Sequence, residues 1–174
     1  LKAELRGPSV ICLGDSAMIT VVGEGLSRYS YDWTPKEGII GSSTESKITV
    51  NPKVNTSYTV KIIDSSGCNW TLTHTINVND PSNKVFANAD PIMIVPGYKS
   101  QLTTVDMAGY KYKWSPDDGS LNNSEIFNPV AMPFKTTTYV VTVTDEAGCT
   151  ATASVTIMVK SCADAVFIPN AFTP

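Results

Sequence analysis

The sequence Tyr29-Ser-Tyr-Asp-Trp-Thr-Pro35 returns later in the chain as Tyr110-Lys-Tyr-Lys-Trp-Ser-Pro116. Each copy is followed by a proline, a Thr-x-Tyr and an Asp-x-x-Gly-Cys, and every matched pair is separated by the same 81 residues. Solenoid repeats are shorter than this and cannot bury a core alone, so a gap-free repeat of this length indicates a duplicated domain. The chain of 174 residues is therefore predicted to hold two modules of roughly 80 residues each.

Both modules are predicted to be all-β. Short runs rich in β-branched and aromatic residues alternate with clusters of Gly, Pro, Asn, Ser and Asp, which is typical of a β-sandwich. We predict two tandem immunoglobulin-like β-sandwiches at residues 1–80 and 85–160, joined by a linker at 81–84. The runs are Val10–Cys12, Ala17–Val22, Tyr29–Trp33, Lys47–Val50, Tyr58–Ile63 and Trp70–Val78 in module one, and Ile92–Val95, Ser100–Thr104, Tyr110–Trp114, Tyr139–Thr144 and Thr152–Val159 in module two.

The repeated aromatic residues are predicted to form the two cores. Trp33 and Trp114 lie in mid-strand, where a sandwich packs a large ring against the opposite sheet. Tyr58 and Tyr139 open the strand before the last hairpin, the place of a tyrosine corner. Tyrosines two residues apart share a strand face with each tryptophan, which favours a core over an exposed sugar-stacking platform; they are Tyr29, Tyr31, Tyr110 and Tyr112.

Four cysteines in small β modules favour an oxidising, extracellular compartment, although they allow three pairings. Cys12 with Cys68 is the natural pair inside module one, but module two has Cys149 and no cysteine at the position of Cys12. Cys149 with Cys162 is the remaining pair. An extended Thr150–Val159 would separate those two by about 30 Å, so the chain would have to fold back to join them.

The composition argues against several classes of protein. A net charge of −3 leaves no clustered basic face for nucleic acid. No apolar run reaches the roughly 18 residues of a membrane helix, so no membrane span is predicted. His74 is the only histidine and has the inward parity of a strand, which argues against hydrolytic or metal chemistry. We predict no enzyme and no cofactor.

Calcium is the one ion that the sequence could accommodate. Asp117 and Asp118 precede Gly119 and could offer their carboxylates to a calcium ion. The alternative interpretation is a turn whose carboxylates face solvent. Glu37 matches Asp118 in the repeat and would permit a similar site in module one.

The order of the repeated motifs resembles a known kind of module. Tyr-x-Trp-x-Pro, a proline, Thr-x-Tyr-x-Val, Asp-x-x-Gly-Cys and a Thr-rich last strand, over residues 8–160, resemble PKD-like or immunoglobulin-like modules of large surface proteins in the Bacteroidetes. Ile168-Pro-Asn-Ala-Phe-Thr-Pro174, within 161–174, is similar to the entry segment of the gliding motility-associated C-terminal domain. Both ends of the chain are expected to be the edges of an excised fragment.

This resemblance implies export by the type IX secretion system, directed by a type B sorting domain downstream in the same chain. The protein would then be secreted or held at the cell surface, with the secretion machinery as a partner. In the same setting, Asp15-Ser16-Ala17 fits a short O-glycosylation pattern of exported Bacteroidetes proteins, so Ser16 is a candidate acceptor.

Three hypotheses about function follow. The first is a non-enzymatic spacer or stalk segment of a large surface protein related to gliding or adhesion. The second is an adhesive module that binds a surface glycan or a protein through its loops or an exposed sheet. The third is a segment recognised by the secretion machinery.

Overall fold

The computed structural model describes residues 2–160 and divides the chain into two compact units, Leu1–Asp80 and Pro81–Pro174. We call these units module one and module two. Within the described residues, half-buried and buried strands alternate with tight turns, and the only helical element is a single 3-10 turn, Leu26–Arg28. Each module has its own hydrophobic core.

Module one consists of two four-stranded sheets. The first has the strand order β1-β3-β6-β5 and the second has the order β2-β8-β7-β4. β2 runs parallel to β8, and the other neighbours are antiparallel. The strands are β1 Ala3–Arg6, β2 Val10–Cys12, β3 Ala17–Gly23, β4 Ser30–Thr34, β5 Ile39–Ile40, β6 Lys47–Val50, β7 Thr56–Ile63 and β8 Asn69–Asn79.

Module two has a similar arrangement with one three-stranded and one four-stranded sheet, and an isolated bridge between Leu121 and Ala131 lies in the region that matches β5. Its sheets have the orders β13-β11-β9 and β10-β15-β14-β12, and β10 runs parallel to the last strand as β2 does in module one. The strands are β9 Asn88–Asp90, β10 Met93–Ile94, β11 Ser100–Thr103, β12 Lys111–Ser115, β13 Val130–Ala131, β14 Thr137–Thr144 and β15 Thr150–Val159.

The strand period of two residues explains which side chains enter the cores. In β4 the burial alternates residue by residue: Tyr31 and Trp33 point inward. The other three residues, Ser30, Asp32 and Thr34, face solvent. In β8, Trp70, Leu72, His74, Ile76 and Val78 are the less exposed set, and the threonines between them face solvent. Opposite sheets thus present apolar faces to each other and polar faces to water.

The two tryptophans anchor equivalent positions of the two cores. Trp33 and Trp114 are both fully buried. Trp33 Nε1 donates to the Glu45 carbonyl oxygen at 2.8 Å, and Trp114 Nε1 donates to the Ile126 carbonyl oxygen at 3.0 Å. Glu45 and Ile126 are themselves matched positions of the repeat. The duplication has therefore kept an interior hydrogen bond as well as a residue type.

We expect each module to fold by itself. Because the two cores are separate clusters, fragments 1–80 and 81–160 should each unfold in one cooperative thermal transition, with cysteines changed to alanine so that disulfide chemistry does not enter. Circular dichroism and a two-dimensional NMR spectrum of each fragment would check this. A fragment that stays unfolded at 10 °C would show that its module depends on the rest of the chain.

Candidate functional site

The four repeated tyrosines take part in the cores. Tyr31 is only 8% exposed, and its hydroxyl donates to the Leu26 carbonyl oxygen at 2.8 Å. Tyr29, Tyr110 and Tyr112 are half-buried and pack against the cores, with the Tyr29 ring edge-on to Trp70 at 5.9 Å between centroids. These rings do not form an exposed aromatic platform.

The two buried tyrosines at the start of β7 and β14 tie those strands to a neighbouring loop. The Tyr58 hydroxyl donates to the Glu37 carbonyl oxygen at 3.1 Å. In module two the position that matches Glu37 is Asp118. The Tyr139 hydroxyl lies 2.7 Å from the Oγ atom of Ser120, two residues after Asp118. Burial of the rings raises the pKa of both tyrosines, so both hydroxyls are held in the neutral form.

The cysteines differ from the sequence prediction. Cys12 and Cys149 are disulfide-bonded, whereas Cys68 is an exposed free thiol. The predicted Cys12–Cys68 bond is therefore wrong. Its failure follows from the parallel pairing of β2 with β8, which sets Cys12 opposite Asn79 at the far end of β8. Cys68 precedes the first residue of β8, about 36 Å away along the strand, and a disulfide needs Cα atoms within about 7 Å.

The second predicted pairing joined Cys149 to Cys162, which lies outside the described residues. Cys149 is nearly fully buried in the turn before β15. Its backbone N–H donates to the Asp145 carboxylate at 2.9 Å, and the backbone N–H of the exposed Cys68 donates in the same way to Asp64 in module one.

The two acids proposed for calcium already have partners. Asp117 accepts hydrogen bonds from Lys113 Nζ at 3.1 Å and Ser124 Oγ at 2.9 Å. These bonds, Lys113 first, hold the Asp117 pKa below its usual range. Asp118 accepts from the Ser120 backbone N–H at 3.1 Å, and hydrogen bonds from Ser120 likewise lower its pKa. Residues 2–160 contain no group of three or more His, Cys, Asp or Glu side chains placed to hold a metal, and calcium stays a prediction.

The remaining candidate residues are His74 and Ser16. His74 Nε2 lies 2.9 Å from the Pro8 carbonyl oxygen, a structural contact between β8 and the chain before β2. Ser16 is exposed between β2 and β3, where a modifying enzyme could reach it, and its glycosylation stays a prediction.

One end of module two carries a concavity that the sequence analysis missed. It has a volume of about 290 Å³ and lies where β14 begins and β15 ends, since Thr137 pairs with Ile157. Phe134 beside it is 79% exposed, more than the other exposed large apolar side chains of residues 2–160. The lining residues are Asp118, Gly119, Ser120, Met132, Pro133, Phe134, Lys135 and Thr137.

A signal for this concavity was present in the repeat. The matched positions of module one hold Lys53 where module two has Phe134, and Ile39 where module two has Ser120. Similarity between the copies identified the core. The differences between them at loop positions would have identified this site.

No protein-family model and no curated protein matches the sequence. Solved structures do match it. A C-terminal fragment of intimin, in complex with the intimin-binding domain of its translocated receptor, matches with a TM-score of 0.55 at 14% identity. The match covers 91% of this chain and 64% of the fragment, so the chain spans less than two thirds of that fragment.

The chain has an immunoglobulin-like β-sandwich fold. Murine CEACAM1b also matches, with a TM-score of 0.42 at 11% identity, over 92% of this chain and 100% of that one. The insect immune protein hemolin matches with a TM-score of 0.41 at 14% identity, over 92% of this chain and 48% of that one. No helix within residues 2–160 is long and apolar enough to cross a bilayer.

The thiols give a direct check of the cysteine assignment. In a chain with Cys162→Ser, a maleimide reagent without reductant should label one thiol under native conditions, because Cys68 is the one free, exposed cysteine of residues 2–160. Intact-mass measurement would show one adduct, and Cys68→Ser should abolish it. Two or three adducts before reduction would contradict the assignment.

The Tyr58 hydroxyl should make stability depend on pH in the alkaline range. At pH 7, Tyr58→Phe should lower the free energy of unfolding by about 1 kcal/mol, because the hydrogen bond to Glu37 is lost. The folded pKa is raised, so the contribution of Tyr58 is complete below pH 10 and declines as the pH rises toward the folded pKa.

Between pH 10 and pH 11 the wild-type advantage over Tyr58→Phe should therefore shrink, because the unfolded chain loses this proton before the folded chain does. Urea unfolding followed by fluorescence, in a Cys68→Ser background to prevent thiol exchange, would measure both proteins. A difference that stays constant across this range would mean that the buried hydroxyl ionises equally well in the folded and unfolded chain.

Proposed function

We propose that this chain is a non-enzymatic, two-module segment of a larger secreted or cell-surface protein. Its role is to set the distance and orientation between a distal functional region and a C-terminal sorting domain. The observation that carries the proposal is that the duplication has preserved interior contacts and left the exposed surface free to change.

The preserved contacts are internal to each sandwich. Besides the hydrogen bonds of the two indole N–H groups, the backbone N–H groups of the tryptophans are also paired alike. The Trp33 N–H donates to the Ser43 carbonyl oxygen at 3.0 Å, and the Trp114 N–H donates to the Ser124 carbonyl oxygen at 2.8 Å. In both modules the aspartate at the start of the last hairpin turn accepts a hydrogen bond from the backbone N–H of a cysteine. The pairs are Asp64 with Cys68 and Asp145 with Cys149. A duplication of this kind supplies length and rigidity, which are what a spacer needs.

The exposed positions between these contacts differ. The outward residue of β4 between Tyr31 and Trp33 is Asp32, and its match in β12 is Lys113, of opposite charge. On β7 the outward Lys61 is matched by Thr142 on β14. A duplicated ligand site would have kept the chemistry of such positions, so these changes favour a shared scaffold over a shared binding face.

The acids of the turns are suited to structure rather than to acid–base catalysis. Asp64 accepts from the Ser66 hydroxyl at 2.6 Å and from the Cys68 backbone N–H at 2.9 Å, and the hydroxyl bond is the main reason that its pKa is lowered. Asp117 and Asp118 have lowered pKa values for similar reasons. A general acid at neutral pH needs a raised pKa, so these three residues support a non-enzymatic role.

An extracellular location is supported by the cysteines. Disulfide-bonded Cys12 and Cys149 suit an oxidising compartment. The resemblance of Ile168–Pro174 to the entry of a type B sorting domain, and of the modules to PKD-like modules, supports export by the type IX system. Recognition of residues 161–174 by the secretion machinery stays a separate hypothesis, because that segment lies outside the described residues.

An exposed cluster of the repeated tyrosines would favour the adhesive alternative. Those rings are engaged in the cores, so they do not favour it. The intimin fragment was solved in complex with the intimin-binding domain of its receptor, and its likeness to this chain is one of fold.

The proposal is tested by exchanging the segment in the parent protein on its own cells. Replacing residues 1–160 with two unrelated immunoglobulin-like modules of equal length should leave the activity of the distal region intact. Deleting 85–160 alone should reduce that activity, because it shortens the reach by about the 33 Å of a ten-residue strand.

Antibody labelling of intact cells would confirm equal surface amounts of every variant. The Lys53→Ala protein serves as a point-mutant control with unchanged length, because Lys53 lies in module one and outside the concavity. If the unrelated modules fail to support activity at equal surface amounts, while length is preserved, the spacer proposal is wrong.

A further inference from the structure

We propose that the concavity at the end of module two binds a saccharide, with the exposed Phe134 ring stacking on a sugar face and Asp118, Ser120 and Lys135 bonding its hydroxyls. This inference goes beyond the spacing role and does not depend on it. It assigns a ligand class to a site that only one of the two modules carries.

The Phe134 ring is exposed but held in place. A Cβ built on Gly97 would lie 3.2 Å from the ring atom Cε1, so the ring rests close against the backbone of that residue. Gly97 has a φ of +76°, which glycine adopts without strain, and its N–H donates to the Pro133 carbonyl oxygen at 3.3 Å. One side of the ring is thus supported by a turn, and a large part of it stays open to solvent.

An aromatic ring in this setting is suited to a sugar. Its face carries partial negative charge and attracts the weakly positive C–H groups on one side of a pyranose ring. A ring that rests on the backbone on one side has less conformational entropy to lose when a ligand stacks on its other side. Tyr98, next to Gly97 in the chain, is 68% exposed and adds a second aromatic side chain at this end of the module.

The polar lining supplies both kinds of hydrogen-bonding group. Hydrogen bonds from Ser120 keep the Asp118 pKa low, so its carboxylate is an ionised acceptor for sugar hydroxyls. Lys135 also lowers the Asp118 pKa through its charge, and its ammonium is a donor. Ser120 Oγ is positioned by the fully buried Tyr139, whose hydroxyl lies 2.7 Å from it.

The combination fits a saccharide better than the other ligand classes. About 290 Å³ is at the lower end of small-molecule pockets, which suits a terminal sugar of a longer chain. A carboxylate in the lining repels nucleic acid and phosphate groups. The centre of a protein–protein interface is depleted in charged residues, whereas Asp118 and Lys135 both line this concavity.

Module one provides a control within the same chain. At the matched positions it has Lys53 in place of Phe134, Val54 in place of Lys135 and Ile39 in place of Ser120. Module one therefore lacks both the ring and the hydroxyl on the same sandwich scaffold, and the site is expected in module two alone.

The test uses the whole chain and a panel of soluble oligosaccharides built from glucose, galactose, mannose, N-acetylglucosamine or sialic acid. Titration followed by NMR should show at least one of them binding, with shifts confined to the residues of the concavity. Phe134→Ala should weaken binding at least tenfold, and Asp118→Asn should weaken it severalfold. Lys53→Ala in module one should leave the affinity unchanged.

Phe134 is largely exposed, so its replacement should not unfold the module, and a thermal melt would verify this. The proposal is overturned if no oligosaccharide of the panel binds at millimolar concentration, or if binding is undiminished in folded Phe134→Ala. A protein partner that requires Phe134, found together with a negative panel, would overturn the saccharide assignment in favour of a protein site.

Discussion

The burial of one tryptophan in each module is the constraint on which the rest of the sandwich depends. Trp33 brings a large apolar surface to the space between the sheets, and it also brings an N–H that cannot be left unpaired in a core. The Glu45 carbonyl satisfies that N–H from the irregular segment before β6. A single side chain therefore packs two sheets together and fixes a loop, and Trp114 does the same in module two.

The tyrosine at the start of β7 or β14 extends this constraint to the end of each sandwich. Tyr58 and Tyr139 are fully buried, and each hydroxyl reaches the segment that follows β4 or β12. The partner of that hydroxyl differs, since it is the Glu37 backbone carbonyl in module one and the Ser120 hydroxyl in module two. The buried tyrosine is thus the same in both modules, while its partner on the loop differs. In module two that partner, Ser120, is part of the polar lining of the concavity.

The features that depend on local pattern could be predicted from the sequence. The alternation of Trp70 to Val78 and the fold class follow from a period of two residues, which local sequence encodes. The two-residue strands β5 and β13, and the short β1 and β9, form because of pairing with distant residues, and they carried no such pattern. The Cys12–Cys68 prediction failed for the same reason, because the parallel pairing of β2 with β8 is a long-range fact.

The candidate site could not be predicted from the positions that the two copies share. Shared positions report what the fold requires, and in this chain those are interior. Phe134 has no counterpart in module one, where Lys53 occupies the matched position, and a solvent-exposed ring contributes little to folding. A residue that costs solubility, differs from its own duplicate and rests on a supporting glycine needs an explanation outside the core, and a ligand at this end of module two supplies one.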